Sequence, residues 1–217
     1  MDLKIIFPDI DLAGVKAVLI DLDNTLYQYE PCHKYALQIC FENFPDAKIS
    51  FQDFADLYKK HRDQVTKLLL PQGACRSRFF AFLHLFEELK ISQAYVKALQ
   101  FDEIYWDRFI SAMKLDENAR NFLDLCKNKN LPICVVTDML ATTQVRKIQK
   151  LQLENIVDFL VTSEEVGFEK PNSIIFAAAL QKLNLAQSDV IMIGDDENKD
   201  VEGARKFGIT SYQIQIC

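Results

Sequence analysis

Val15–Tyr27 reads VKAVLIDLDNTLY, an apolar run that stops on charge. Val15, Ala17, Val18, Leu19 and Ile20 are rich in β-branched side chains, the composition of a strand covered on both faces in a parallel sheet. Asp21 and Asp23 follow two apart. While the backbone stays extended both carboxylates leave the same face, with Leu22 on the other. At about 4 Å and an effective dielectric near 20, two such charges repel by roughly 4 kcal/mol, so the pair calls for a retained proton or a nearby cation. The same residues also suit a turn, since Asp, Asn and Thr in DNT all favour one.

The 217 residues around this stretch, 49% hydrophobic and 26% charged, fit one large domain or a core with an insertion, with ample material for a buried core. A net charge of -6 argues against holding nucleic acid through its phosphates, which requires clustered cations. No apolar stretch reaches the length of a membrane span. Asp2, Asp9 and Asp11 near the start are unlike a signal peptide, so a cytoplasmic location is expected. The six cysteines are scattered without a CxxC pair, which gives neither zinc spacing nor a disulfide framework.

Upstream of the strand, Met1–Gly14 reads as an arm. Downstream, from Glu30 to about Met113, the periodicity is helical. Cys32, Tyr35, Ala36, Ile39 and Cys40 share one helical face, and Ser50 with Asp53 resembles a capping box. Phe79, Phe80, Phe82 and Phe86 make the next segment strongly aromatic. After Leu115 the pattern becomes α/β: Leu131–Val136, Val157–Thr162, Asp189–Ile193 and Thr210–Ile216 read as strands separated by helices, one of them starting at Pro171. Strands alternating with helices predict a parallel sheet covered on both faces.

Polar groups recur at the carboxyl ends of separate strands: Asp21 and Asp23, Thr137 and Asp138, Asp195 with Asp200. Ligand crevices of open α/β sheets lie at that edge. Each has an ordinary explanation alone. Thr137 can cap a helix, Lys170 can be a solvated lysine, and Asp200 can favour a helix N-terminus. Their joint order and spacing do not reduce to those explanations.

The set resembles the haloacid dehalogenase (HAD) superfamily of phosphohydrolases. DLDNTL at Asp21–Leu26 is similar to its DxDxT signature, Thr137 stands at its second motif, GFEKP at Gly167–Pro171 at its lysine motif, and GDDENKD at Gly194–Asp200 at its GDxxxxD motif. The resemblance implies a Rossmann-like parallel sheet with helices on both faces, residues 1–28 and 114–217, plus a helical cap domain, residues 29–113. It implies a Mg²⁺-dependent phosphatase acting on a small phosphorylated metabolite of the nucleotide or sugar phosphate class. In that scheme Asp21 attacks phosphorus to form an aspartyl phosphate, and Asp23 is acid and then base. Thr137, Asp138 and Lys170 hold the phosphate, while Asp21, Asp23 (through its backbone carbonyl), Asp195 and Asp200 (directly or through water) hold the metal. Asp196, where many members have Ser, adds a carboxylate nearby. Tyr27, His33, Arg76 and Arg78 are candidates for reaching the substrate. A phosphomutase and a silent phosphate-binding protein are the alternatives on the same core; a dehalogenase would lack the acid at the position of Asp23.

Overall fold

The computed structural model describes residues 4–44 and 49–217; the first three residues of the expected N-terminal arm lie outside that range. Two compact units emerge, one of Met1–Tyr29 with Met113–Cys217 and one of Glu30–Ala112. The chain runs through β1 (Ile5–Ile6), β2 (Ala17–Ile20), α1 (Tyr29–Glu42), α2 (Phe51–Leu69), α3 (Arg78–Glu88), α4 (Ala94–Ala112) and α5 (Glu117–Asn128). It continues with β3 (Ile133–Thr137), α6 (Ala141–Lys150), β4 (Phe159–Thr162), α7 (Ser163–Val166), α8 (Ser173–Leu183) and β5 (Val190–Gly194). A π-helical turn at Glu197–Glu202 leads to α9 (Gly203–Lys206), β6 (Thr210–Gln213) and β7 (Gln215–Ile216).

In the first unit five parallel strands form a sheet in the order β4-β3-β2-β5-β6. The order reverses between β2 and β5, and ligands of such sheets bind at that switch point, beyond the carboxyl ends of the strands. β2, β3 and β5 are buried at every position, as their unbroken apolar sequences require of strands packed on both faces. Leu19, Val136, Val161 and Met192 join Ile175, Phe176 and Ala179 of α8 in one core cluster. Each such fully buried aliphatic or aromatic side chain contributes roughly 1.5–3 kcal/mol.

Three expectations are adjusted. The N-terminal arm is part of the fold: β1 pairs antiparallel with β7, Phe7 stacks on Phe122 at 4.9 Å, and Asn118 Nδ2 donates to Ile5 O at 2.7 Å. The last strand is two: pairing with β5 ends at Gln213, with Ile214 N–H still donating to Gly194 O at 2.9 Å, and Gln215–Ile216 pairs with β1 instead. The helix expected from Pro171 begins at Ser173, because Asn172 accepts from Ile174 N–H and so takes the capping position.

The second unit is helical. Ser50 and Asp53 form the capping box that opens α2. Between α2, α3 and α4 lies an aromatic core, with Phe86 edge-on to Phe101 at 4.9 Å and Tyr58 5.0 Å from Phe82. Tyr105 meets Trp106 edge-on at 5.1 Å. Tyr35, expected on the buried face of α1, is 44% exposed. Arg78 is 2% exposed, with its guanidinium 5.2 Å from the Trp106 ring centroid and 5.6 Å from that of Tyr105. Its aliphatic stem and cation are thus part of this core.

Candidate active site

Asp21 stays in the sheet one residue beyond β2, its N–H donating to Ile193 O at 2.9 Å. The chain then turns at Asn24, which takes a left-handed φ of 64° and accepts from Tyr29 N–H at 3.0 Å. Strand and turn are therefore both present in DLDNT: the carboxylates finish one and Asn24, a residue that tolerates this conformation, starts the other. Thr137 closes β3 and is buried.

Lys170 comes from the loop before α8 and is buried between carboxylates. Its Nζ lies 2.6 Å from Asp21 Oδ1, 2.6 Å from Asp200 Oδ1 and 2.9 Å from Val136 O. Asp200 Oδ2 accepts from Asp196 N–H at 3.1 Å. Burial works to depress the lysine, but Asp200 and Asp21 hold its pKa well above the ordinary value.

Ligand oxygens of Asp21, Asp195 and Asp200 lie within 4.8 Å of one another. Burial drives the Asp21 carboxyl well above its usual range, opposed by Lys170 and reinforced by Asp200, Asp195 and Asp23. Asp195 is pushed up to about 6, first by burial and then by Asp200. Three carboxyl groups face one lysine, and their raised proton affinity marks a site short of positive charge. Carboxyl groups so close together, all hard oxygen donors, fit a divalent cation.

The side chain of Asp23 stands outside this cluster. Its Oδ1 is 2.6 Å from Lys147 Nζ and also accepts from Tyr27 OH, while Oδ2 accepts from Gln144 Nε2 at 3.2 Å. Burial alone would raise its pKa, yet the charge of Lys147 and the hydrogen bonds from Lys147, Tyr27 and Gln144 hold it below the ordinary value. Gln144 also donates to Thr137 Oγ1 at 2.6 Å. Tyr27, expected to reach the substrate, is instead fully buried against Asp23.

Asp138 accepts from Lys170 N–H at 2.8 Å and from Lys199 Nζ at 2.8 Å, and Lys199 also binds Glu169 at 3.0 Å. Its carboxylate thus holds the lysine loop, through Lys170 N–H and the Lys199 ammonium. Asp196, expected to add a carboxylate near the metal, caps the π-helical turn by accepting from Asn198 and Lys199 N–H, and its charge acts on the neighbouring Asp195. Gln144, Lys147, Lys199 and Glu169 escaped the sequence reading. No sequence signal set them apart: that Thr143, Gln144 and Lys147 lie on the buried side of α6 is visible only in the structure.

The family model of haloacid dehalogenase-like hydrolases matches residues 15–208. The chain is similar to ribulose-1,5-bisphosphate 5-phosphatase of Halopiger xanaduensis, 32% identical over 195 residues covering 89% of this chain and 82% of the relative. It is similar to glyceraldehyde 3-phosphate phosphatase of Methanothermobacter thermautotrophicus, 27% identical over 202 residues, 92% of this chain and 85% of the relative. Among solved structures, the putative HAD-hydrolase YfnB from Bacillus subtilis superposes with a TM-score of 0.69 at 19% identity, covering 91% of this chain and 87% of that one.

Proposed function

Since this chain belongs to the haloacid dehalogenase-like hydrolase family and is one of its phosphoric monoester hydrolases, we propose that it releases phosphate from a small sugar phosphate, through an aspartyl phosphate on Asp21 and with Mg²⁺ as cofactor. The observation that carries this reading is Lys170. Its buried ammonium joins Asp21 to Asp200, two carboxylates far apart in sequence at the switch point of the sheet.

Asp21, Asp195 and Asp200 would hold the Mg²⁺, with the Asp23 backbone carbonyl. The ion would supply positive charge against the phosphoryl oxygens. Lys170 and the Thr137 hydroxyl bind those oxygens and offset the repulsion between the phosphate and the attacking carboxylate. Asp21 forms a bond to phosphorus as the ester P–O bond breaks, and the sugar oxygen leaves with a proton from Asp23. Water then attacks the aspartyl phosphate, giving its proton to Asp23 and freeing Asp21. Such acid–base assistance contributes ~10² to 10⁴ in rate. Asp23 rests ionised beside Lys147, ready as base. The incoming phosphate, a second anion, raises its proton affinity so that it takes from solvent the proton it donates first, and the proton received from water in the second step restores it for the next turnover.

The substrates named for the two relatives favour a sugar phosphate over a nucleotide. We assign to residues 29–113 the cap domain's choice of the sugar, and place the reaction in the cytoplasm with the metabolites it uses. Among the described residues no helix is long and apolar enough to cross a membrane. The test is phosphate release from a panel of sugar phosphates and nucleoside monophosphates, with Mg²⁺ and with chelator. Faster release from sugar phosphates, only with Mg²⁺, is expected. Preference for nucleotides would overturn the substrate class, and unchanged release in chelator the cofactor.

A further inference from the structure

We propose that Lys147, together with Gln144, is a positioning residue for proton transfer: the pair fixes the Asp23 side chain in one orientation, outside the three-carboxylate cluster. This rests on the reading of Asp23 as the group that exchanges the proton.

Lys147 is fully buried, a costly place for an ammonium unless an anion meets it. Its Nζ is 2.6 Å from Asp23 Oδ1, and 5.8 Å and 6.0 Å from the ring centroids of Tyr27 and Tyr29. One turn earlier on the same face, Gln144 spreads its amide nitrogen between Asp23 Oδ2 and Thr137 Oγ1. Its own oxygen is buried and accepts no hydrogen bond. Packing for stability alone would not leave a buried amide oxygen unsatisfied, because a leucine of similar size avoids that cost. The amide hydrogens are committed to the proposed proton carrier and to a proposed phosphate ligand.

With Tyr27 OH as the third donor, both Asp23 oxygens are held. Two buried lysines thereby divide four carboxylates. Lys170 lies within the group suited to a cation, and Lys147 withdraws the fourth for the proton.

Steady-state kinetics of Lys147→Met, Lys147→Arg and Gln144→Leu test this on two esters: the best sugar phosphate of the panel, whose alkoxide must be protonated to leave, and p-nitrophenyl phosphate, whose phenolate leaves unaided. Lys147→Met should lower kcat on the sugar phosphate by about 10²-fold with KM within about twofold, and lower kcat/KM on the aryl ester by less than about fivefold. Lys147→Arg should restore at least about a tenth of the lost kcat, because it returns a cation to the carboxylate. Equal losses on both esters, a change confined to KM, or no loss would overturn the proposal. If circular dichroism shows Lys147→Met unfolded, Gln144→Leu decides alone: it keeps the cation, removes the bridge, and should show the same dependence on the ester. Asp23→Asn separates the two levels of the argument. Full activity of that variant would refute Asp23 as proton carrier, whereas an inactive Asp23→Asn beside fully active Lys147→Met and Gln144→Leu would refute the positioning role only.

Discussion

A Cβ built on Gly194 would lie 2.2 Å from Asp200 Oδ2 and 2.3 Å from its Cγ, so the glycine that opens GDDENKD is there to let a carboxylate lie flat on the strand end. Gly194→Ala should push Asp200 away from Lys170, destabilise by about 1–3 kcal/mol through overpacking, and raise the Mg²⁺ concentration needed for half-maximal activity. Thermal melts and a Mg²⁺ titration measure the two effects. Asp21→Asn should abolish phosphate release while leaving the circular dichroism spectrum unchanged, because the amide keeps the shape and loses the attacking oxygen; turnover at the wild-type rate would count against Asp21 as nucleophile. The residues that end strands were legible because polar groups close several apolar runs in one shared order, although each alone has an ordinary explanation. Lys147 was not, since a lysine on an amphipathic helix looks solvated until the backbone shows which face is inside. For Asp138 the sequence shows the neighbour of Thr137 but nothing of Lys199, sixty-one residues on, which pairs with its carboxylate.

Among elements, the fully buried strands β2, β3 and β5 read directly, as continuous apolar runs permit one placement. β4 is half exposed at Phe159 and Leu160, and there the expected strand began too early. The π-helical turn left no trace in the sequence, because its width depends on Asp196 capping it and on Asp200 being drawn back to the Asp196 amide. In α1, His33 Nδ1 is 2.8 Å from Tyr105 OH of α4. Burial, and then the charges of Arg78, Arg62 and Lys34, push its pKa down from 6.5 to about 3. The unfolded chain therefore takes up a proton near pH 6.5 that the folded chain refuses until about pH 3. This stability is complete above 6.5 and lost as pH falls through that window, by about 2 kcal/mol at pH 5. Urea unfolding at pH 7 and pH 5 should show that slope in the wild type and a shallower one in His33→Gln.

For the whole molecule, the clustered carboxyl groups of Asp21, Asp195 and Asp200 predict that a divalent cation binds the folded chain and not the unfolded one. Mg²⁺ at about 100 times its dissociation constant should stabilise by about 2.7 kcal/mol, seen as a higher melting temperature in wild type and a smaller rise in Asp195→Asn. Equal shifts in both would remove Asp195 from the site. The parallel sheet and its helical insertion were legible as a change of period along the chain. The closure of β1 on β7 was not, because its two-residue strands fall below any periodic signal.

Trp106 is the chain's single tryptophan, and it lies in the helical unit, against Tyr105 and the Arg78 guanidinium. Emission excited selectively through its indole consequently reports from that unit, while far-ultraviolet ellipticity averages over both. Superimposable denaturation curves from the two probes would mean that the helices and the sheet melt as one cooperative body. Separated midpoints would identify the helical insertion as an independently melting module, visible without any label.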